Sequence, residues 1–400
     1  MRGCSDGGKG EQEGRNRKGG TGDATGAGMR VEVEEFMLLP DIIIDRIEKE
    51  GPLSFRDFME MALYYPGQGY YTSDRQKLGR SGDFYTSAYL TGLFGTMVAG
   101  QLEEMWHVLG QQSFTIVEYG AGAGLLCRDI LQRLKANGPL YDQLSYVIIE
   151  KSEPMRRRER ESLPEKVRWV DSIRDISPVR GCILSNELVD NFSVHQVVML
   201  DELMEVCVAY DGGFVETLRP AADPLKDYLD RLGVDLPREF RAEINLEATE
   251  WIMEVSRALQ QGFVMTIDYG YTSSALYSKR TGTLACYHRH QVNYCPYDLV
   301  GEQDITSHVN FSALDYWGRQ GGLECCGFTS QTHFLQALGL ARYLRKWEEE
   351  VASDPVRRQQ QMLQLRTLLE MGHPFKVLVQ RKGVGRVYLS GMQFAQPLGR

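Results

Sequence analysis

A glycine-rich turn preceded by a carboxylate is the part of this sequence best suited to chemistry. It reads Glu118-Tyr119-Gly120-Ala121-Gly122-Ala123-Gly124, after an apolar run that predicts a strand and before a pattern that predicts a helix over residues 125–135. Glycines let the backbone turn tightly and let a ligand approach without a clash against Cβ, and a helix N-terminus offers free N–H groups. The turn therefore predicts a ligand site formed by Gly120, Gly122 and Gly124.

The residues around the turn narrow the kind of ligand. Dinucleotide-binding turns carry Gly or Ala at the sixth position, where this sequence has Leu125. Glu118 would repel a pyrophosphate, whereas it suits a cation such as the ammonium group of an amino-acid cofactor. S-adenosyl-L-methionine carries that ammonium and a sulfonium but no phosphate. We therefore expect S-adenosyl-L-methionine as the cofactor, with Glu118 among the residues that bind it.

Two further strand ends carry polar side chains that fit the rest of this cofactor. Glu150 ends the second predicted strand and can accept hydrogen bonds from both ribose hydroxyls. Asp171-Ser172 ends the third, where Asp171 can accept from the exocyclic amine of adenine. A single acidic residue of this kind is more typical of a solvated loop. Three carboxylates at successive strand ends, beside a glycine turn, predict one adenosyl site.

The elements that position these residues alternate between strands and helices. Apolar runs at 114–118, 146–149, 167–170, 182–184 and 263–267 predict the strands of an α/β fold with a mostly parallel, doubly wound sheet, and a late run at 376–380 predicts a closing strand. Between the fourth and fifth strands, residues 194–200, 204–210 and 214–218 predict an antiparallel insertion. Asp41 is expected to cap a first helix and Ser54, with Asp57, a second.

These patterns divide the chain into four segments. Residues 1–35 are predicted to form a disordered leader. Residues 1–28 lack Leu, Ile, Val and Phe, so they cannot bury enough apolar surface to offset the conformational entropy lost on folding. Met29 is an alternative translation start. We expect an N-terminal helical segment at 36–112, a cofactor-binding core at 113–275 with its strand insertion at about 194–250, and a covering segment at 276–400 that completes the sheet.

Composition bounds the class of protein. The chain has 400 residues, a net charge of −9 and 42% hydrophobic residues, which is typical of a globular domain and gives no basic excess for nucleic acid. No apolar run approaches a membrane span. The leader resembles neither a signal nor a transit peptide, so we expect a bacterial cytoplasmic protein, with the mitochondrial matrix as the alternative. The oligomeric state stays open, a dimer included.

Cysteine and histidine usage raises one alternative, a metal site. The eight cysteines are too sparse for a disulfide scaffold. Cys286, His288 and His290 alternate as in a strand and would share one face, with Cys295 nearby. The spacing fits none of the usual zinc patterns, so we expect polar strand residues lining a cleft and no bound metal.

A series of motifs in one order resembles the MidA-like family of methyltransferases, over residues 36–383. The motifs are Gly51-Pro52-Leu53-Ser54-Phe55, Leu63-Tyr64-Tyr65-Pro66, Gly69-Tyr70-Tyr71, Gly82-Asp83-Phe84-Tyr85-Thr86-Ser87, Val117-Glu118-Tyr119-Gly120-Ala121-Gly122, Ser185-Asn186-Glu187-Leu188-Val189-Asp190, Ile267-Asp268-Tyr269-Gly270-Tyr271, Gly282-Thr283-Leu284 and the stretch 301–311.

The resemblance implies a seven-stranded, Rossmann-like methyltransferase sheet with α+β segments over the cleft. For mitochondrial members of the family it implies methylation of arginine in a respiratory complex I subunit. The sequence departs from the family pattern in two loops. Ala88-Tyr89 stands where Pro-Glu is usual, and Asn191-Phe192-Ser193 stands where Ala-x-Pro is usual. Both loops are expected to border the acceptor.

The end of the fourth strand carries the expected catalytic residues, Asn186, Glu187 and Asp190. Methyl transfer is an in-line displacement, so the protein mainly positions the nucleophile and excludes water. An arginine acceptor stays protonated, and carboxylates can bind it through forked hydrogen bonds. We expect Glu187 to orient the acceptor with support from Asp190. The alternative is that Glu187 only caps the segment that follows.

Several other polar residues are secondary candidates. Asp83 and Thr86 are expected near the cofactor's amino-acid end, with Asp83 alternatively holding a lid closed. Asp268 is expected to line the acceptor channel, while Asp304 and His308 fit either the cover or a structural hydrogen bond.

The sequence thus favours a protein methyltransferase with an arginine-containing acceptor. A small-molecule methyltransferase and a cofactor-binding assembly chaperone with little catalysis are the alternatives.

Overall fold

The computed structural model describes residues 37–74, 92–278, 280–350, 355–372 and 374–398. The described residues after Met37 form one compact unit. The helices in this part of the chain are α1 (Leu39–Glu50), α2 (Phe55–Tyr64), α3 (Gly92–Val108), α4 (Leu125–Leu134), α5 (Gly138–Gln143), α6 (Glu153–Ser162), α7 (Asp223–Leu232), α8 (Leu246–Ala258), α9 (Ser273–Leu276), α10 (Phe311–Gln320), α11 (Gln331–Ala337), α12 (Leu340–Glu350) and α13 (Pro355–Met371).

The strands belong to three sheets. In chain order they are β1 (Leu53–Ser54), β2 (Phe114–Tyr119), β3 (Leu144–Ile149), β4 (Val167–Val170), β5 (Val179–Asn186), β6 (His195–Met199), β7 (Leu203–Tyr210), β8 (Phe214–Pro220), β9 (Arg241–Ile244), β10 (Leu259–Tyr271), β11 (Ala285–His288), β12 (Gln291–Asn293), β13 (Asp304–Thr306), β14 (Val309–Asn310), β15 (Glu324–Ser330) and β16 (Phe375–Lys382).

The central sheet has the strand order β4-β3-β2-β5-β10-β16-β15. The first five strands of that order are parallel, and β16 runs antiparallel to both of its neighbours. The short strand β14 adds to the end of β10. The α/β prediction and its doubly wound, seven-stranded order are therefore confirmed. The chain order reverses beside β2, which creates a crevice between the ends of β2 and β5.

Burial on both faces explains why the parallel strands are continuous apolar runs. On β2, Ile116 points to the helices α3 and α4, whereas its neighbour Val117 points to α8 and α10, and both are fully buried. Because successive strand residues face opposite sides, each strand contributes to both layers of the core. Burying one such side chain contributes about 1.5–3 kcal/mol.

The predicted insertion is a second, antiparallel sheet with the order β1-β7-β6-β9 and β8 on the other side of β7. Its hairpin turns lie at Asp201-Glu202 and Asp211-Gly212-Gly213, as the sequence indicates. The helix α7 lies between β8 and β9 of this insertion and buries Leu225, Tyr228 and Leu229. The inserted chain then leads through β9 into α8, which returns to the central sheet.

The structure tests the predicted N-cap residues of the first two helices, and it confirms only one of them. The prediction that Asp41 caps α1 is wrong, since Leu38 is the N-cap residue and Asp41 lies inside the first turn, beside Pro40. Proline fits that position because the N–H it lacks would have no helical partner there. The prediction that Ser54 begins α2 is confirmed, because its hydroxyl accepts a hydrogen bond from the backbone N–H of Asp57 at 3.0 Å.

The cysteine and histidine segment contributes the central strand β11 and the edge strand β12 to a small sheet with the order β12-β11-β13. The expectation that Cys286, His288 and His290 alternate on one strand is wrong, because β11 ends at His288 and His290 has a left-handed φ of 62°. Cys286 is fully buried. Among the described residues, no group of three or more His, Cys, Asp or Glu is arranged to hold a metal ion. None of the helices described here is long and apolar enough to cross a membrane.

Candidate active site

A cavity of about 740 Å³ opens at the carboxyl ends of β2, β3, β4 and β5. This is the edge at which open parallel sheets bind ligands. The cavity brings together most of the site residues predicted from the sequence, namely Glu118, Gly120, Gly122, Glu150, Asp171, Ser172, Asn186 and Glu187.

The glycine turn has the left-handed backbone that its residue types require. The φ angles are 64° at Gly120, 60° at Gly122 and 71° at Gly124. A Cβ atom at Gly120 would lie 2.8 Å from Leu188 Cδ1, the end of a flexible side chain, so the left-handed φ is the main reason for glycine there. Gly124 stands at the N-cap of α4 and packs against Leu163, outside the cavity lining.

Glu118 is a buried acid in the cavity wall, with a side chain only 2% exposed. Its Oε2 atom accepts a hydrogen bond from the Tyr146 hydroxyl at 2.7 Å. Burial raises the pKa of Glu118 to about 7, although the bond from Tyr146 opposes this. Such a carboxyl is poised to ionise when a cation enters the cavity, because an opposite charge favours the ionised form.

Arg156, on α6, joins the two strand ends expected at the ribose and the adenine. Its Nη2 atom donates to the carbonyl oxygen of Glu150 at 2.6 Å, and its Nη1 atom donates to Asp171 Oδ1 at 2.7 Å. The Glu150 side chain accepts from the backbone N–H of Ser152 at 2.8 Å. Ser172 caps a short 3-10 turn by accepting from the backbone N–H of Arg174 at 3.2 Å. Sequence reasoning missed Arg156, which joins residues that lie far apart along the chain.

Glu187 has a backbone conformation that is unusual for a side chain of its size. Its φ is 53°, and its N–H donates to the carbonyl oxygen of Ile267 at 2.9 Å. Asn186 Nδ2 donates to Glu187 Oε1 at 3.3 Å. A left-handed conformation of this kind costs about 1–3 kcal/mol and is found where the surrounding structure enforces it, often at functional sites.

Asp268 stabilises the backbone turn that follows Glu187. It is fully buried and does not line the cavity, so the expectation that it lines an acceptor channel is wrong. Its Oδ2 atom accepts from the backbone N–H groups of Leu188, Val189 and Asp190 at 3.2, 2.9 and 3.4 Å. Asp268 therefore fixes the backbone that follows Glu187. Burial and the neighbouring Asp190 carboxyl raise the pKa of Asp268 well above its usual range.

Asp190 lies behind the cavity wall. Its side chain is 4% exposed, and its Oδ1 atom accepts from Asn191 Nδ2 at 3.1 Å. Burial raises the pKa of Asp190, against the opposing effect of the Tyr269 hydroxyl. Asp190 thus supports the turn from behind and is outside the cavity lining, whereas Asn186 and Glu187 face the cavity.

Five buried polar atoms on cavity-lining residues have no hydrogen-bond partner among the described residues. A buried polar group without a partner costs about 1–3 kcal/mol, so a set of them beside one cavity indicates a polar ligand. Three belong to acceptors and one to a donor, and one hydroxyl can serve as either. The atoms are Asn186 Oδ1, Asn191 Oδ1, Glu247 Oε2, Trp251 Nε1 and the Tyr119 hydroxyl.

Helix α8 supplies a wall of the cavity that sequence reasoning missed. Glu247, Glu250, Trp251 and Glu254 all line it. Their spacing of three, four and seven residues places them on one helical face, and this periodicity is the signal that could have identified them. Tyr64 and Tyr71 line the cavity from the N-terminal segment.

The remaining candidates lie away from the cavity lining or outside the described residues. Asp304 is buried and accepts from the Tyr71 hydroxyl at 2.9 Å. His308 packs against the rings of Tyr269 and Tyr271, with centroids 5.2 and 5.4 Å apart. Asp83 and Thr86 lie outside the described residues.

Comparison with known proteins agrees with this geometry. The profile of the Methyltransf_28 family, described as S-adenosyl-L-methionine-dependent methyltransferases, matches residues 97–329. A solved structure of a COG1565 superfamily member from Burkholderia thailandensis, bound to S-adenosyl-homocysteine, is 30% identical with a TM-score of 0.81. The match covers 90% of this chain and 95% of that one.

Two curated relatives are more distant in sequence. "Protein arginine methyltransferase NDUFAF7 homolog, mitochondrial" from Drosophila melanogaster is 25% identical over 86% of this chain and 85% of its own length. "Protein arginine methyltransferase NDUFAF7, mitochondrial" from Rattus norvegicus is 26% identical over 79% and 77%.

The cavity residues fit the cofactor that these comparisons indicate. The left-handed glycine turn leaves space for close approach, and the buried acid Glu118 suits an ammonium group. The cofactor is S-adenosyl-L-methionine. By its fold, its cavity and its sequence, the chain belongs to the MidA-like family of S-adenosyl-L-methionine-dependent methyltransferases.

Proposed function

We propose that this enzyme transfers the methyl group of S-adenosyl-L-methionine to the guanidinium group of an arginine in a protein acceptor. The observation that carries the proposal is a set of buried acceptor atoms without hydrogen-bond partners on residues that line the cavity together with Glu187: Asn186 Oδ1, Asn191 Oδ1 and Glu247 Oε2. Glu247 Oε2 also lies 4.0 Å from Arg56 Nη2. A guanidinium has five N–H donors and no acceptor, so it complements such a set. The printed names of the curated relatives also describe arginine methyltransferases.

The cofactor half of the cavity is assigned to residues at the ends of β2, β3 and β4. Glu118 binds the ammonium group beside the turn at Gly120 and Gly122. Glu150 binds the ribose hydroxyls, and Asp171, with the neighbouring Ser172, binds the adenine. Bound there, S-adenosyl-L-methionine supplies a methyl group on a positively charged sulfur. This assignment leaves the ends of β5 and α8 for the acceptor.

Glu187 carries the acceptor half of the mechanism. Its carboxylate accepts forked hydrogen bonds from the guanidinium and aligns one nitrogen with the methyl group, which lowers the entropic part of the barrier. Asn186 donates to Glu187 and holds the carboxylate in place. A nitrogen–carbon bond forms as the sulfur–carbon bond breaks, and one guanidinium proton leaves, for which the Glu187 carboxylate is the acceptor. The product keeps a single positive charge.

The test compares wild-type enzyme with Glu187→Gln. Titration calorimetry with S-adenosyl-homocysteine measures cofactor binding, and radiolabelled S-adenosyl-L-methionine measures transfer to arginine peptides and to matched lysine peptides. We expect label on the arginine peptides only, lost in Glu187→Gln, while the dissociation constant for S-adenosyl-homocysteine stays within about threefold.

Two results would reject the proposal. Transfer to small-molecule fractions of a lysate but to none of its proteins would assign a small acceptor. Tight cofactor binding without transfer to any acceptor would favour an assembly chaperone. The exposed residue Glu48, on α1, supplies the matched control Glu48→Gln, which should behave as wild type.

A further inference from the structure

We propose that the cavity face of α8 binds the peptide chain around the target arginine, with Glu250 receiving a second cation of the acceptor and Trp251 Nε1 donating to one of its carbonyl oxygens. This inference rests on the proposed function, because it concerns the surroundings of the same arginine. It defines the substrate class as basic peptide segments.

Two of the three acidic residues on the cavity face of α8 form ion pairs with residues at the strand ends. Glu247 Oε1 pairs with Lys151 Nζ at 3.2 Å, and Glu254 Oε1 pairs with Arg174 Nε at 2.8 Å. Lys151 follows β3 and Arg174 follows β4, so these two ion pairs tie α8 to the strand ends. Glu250 lies between the two neutralised acids on the same face. It is exposed, and no basic side chain of the described residues forms an ion pair with it.

Trp251 supplies the second and independent observation. Its side chain is 7% exposed and lines the cavity, yet its Nε1 atom has no hydrogen-bond partner among the described residues. Its ring contacts Tyr119 and Phe192 edge to face, with centroids 5.8 and 6.1 Å apart. These contacts fix the indole between Tyr119, just before the glycine turn, and Phe192, in the segment that follows Glu187.

A guanidinium alone cannot satisfy this arrangement. It has no acceptor atom, so it leaves the Trp251 N–H without a partner. A peptide supplies carbonyl oxygens along its backbone together with side-chain cations. The combination of an indole donor, an open carboxylate and orphaned acceptor atoms therefore fits an extended basic peptide better than a small amine, which has no acceptor atom for the indole N–H.

The experiment uses two synthetic peptides and the full-length enzyme saturated with S-adenosyl-homocysteine. Both peptides have one arginine in a glycine background; the first has lysine two residues to each side, and the second has glutamine there. Calorimetric titration gives the two dissociation constants. We expect the lysine peptide to bind about threefold more tightly or better, as for a partly exposed ion pair. In Glu250→Gln this preference should vanish.

Three further measurements make the result decisive. The Glu48→Gln variant should retain the wild-type preference. Trp251→Phe should weaken both peptides equally, and its thermal unfolding midpoint reports whether the fold is kept. A lysine preference that survives in Glu250→Gln overturns the inference. If both peptides are methylated equally well, only the inference fails; if neither binds nor is methylated while S-adenosyl-homocysteine binds, the arginine function fails with it.

Discussion

The Oδ2 atom of Asp268 lies 2.9 Å from the backbone nitrogen of Val189, two residues beyond Glu187. Asp268 lies near the carboxyl end of the central strand β10, and Val189 belongs to the turn that follows β5. The same oxygen also accepts from the N–H groups on either side of Val189. One buried carboxylate thus holds the turn that keeps Glu187 in its left-handed conformation.

Replacement of Asp268 by asparagine should separate catalysis from cofactor binding. Four backbone N–H groups surround the carboxylate, since Tyr269 also donates to Oδ1 at 2.9 Å. An amide turned either way presents its own N–H to one or more of them. We expect a loss of about 1–3 kcal/mol in the free energy of unfolding. We also expect a fall in kcat of about 10²-fold, because the turn carrying Glu187 relaxes.

Chemical denaturation and steady-state kinetics test Asp268→Asn, with calorimetry for S-adenosyl-homocysteine. The dissociation constant of S-adenosyl-homocysteine should change little in this variant, since Asp268 does not line the cavity. The exposed Asp227, on α7, provides the control Asp227→Asn. A variant with wild-type kcat would show that the turn does not depend on this carboxylate.

The parts of the fold that the sequence predicted are those in which one local pattern determines the outcome. The parallel strands are continuous apolar runs, and their polar ends at Glu118, Glu150 and Asp171 meet because parallel strands end at one edge. The edge strand β15 has no such run, since it begins Glu324-Cys325-Cys326 and contains a register shift. It is a strand because β16 pairs with it.

The site could be predicted only where its residues follow strands. Nothing near Asp268 in the sequence indicates that it binds a turn about 80 residues earlier in the chain. Glu247, Glu250 and Glu254 have the composition of a solvated helical face, and the packing of Trp251 against Tyr119 and Phe192, with the ion pairs of Glu247 and Glu254, brings that face to the cavity. Such long-range contacts are not encoded by local periodicity.

Cofactor binding should release protons through Glu118. The pKa of this carboxyl is about 7 because burial disfavours its charge. An ammonium group placed beside it favours the ionised form and lowers the pKa. At pH 7 about half of the Glu118 carboxyls must lose a proton on binding, and affinity should fall as the pH drops below 7.

Calorimetry of S-adenosyl-homocysteine at pH 7, in two buffers with different ionisation enthalpies, measures the protons released. We expect roughly half a proton per site for wild type and none from this residue in Glu118→Gln. Measurements should stay below about pH 7.5, where the α-amino group of the ligand is protonated before and after binding. Equal proton release by both proteins would assign the effect to another group.

Alanine at Gly120 should weaken cofactor binding. The φ of 64° is unfavourable for alanine, and the new Cβ would meet Leu188 Cδ1 at 2.8 Å. We expect a loss of at least about tenfold in affinity for S-adenosyl-homocysteine, equal to about 1.4 kcal/mol. Gly100→Ala is the control. Gly100 lies within α3 with open space around it, so alanine should stabilise the helix by about 0.8–1 kcal/mol and leave affinity unchanged. Equal affinities for the two variants would contradict the role of the turn.

Arg156 should prove necessary for the adenosine half of the site. Its guanidinium spans from the Glu150 carbonyl oxygen to Asp171, and only a fork with separate nitrogens reaches both at 2.6 and 2.7 Å. Lysine offers a single nitrogen, so Arg156→Lys should restore one contact at most. We expect both Arg156→Ala and Arg156→Lys to weaken S-adenosyl-homocysteine binding by about tenfold, with a smaller effect on the KM of the acceptor. The exposed Arg168, on β4, serves as the control Arg168→Ala. Full affinity in Arg156→Lys would mean that charge alone, without the bridge, positions the two strand ends.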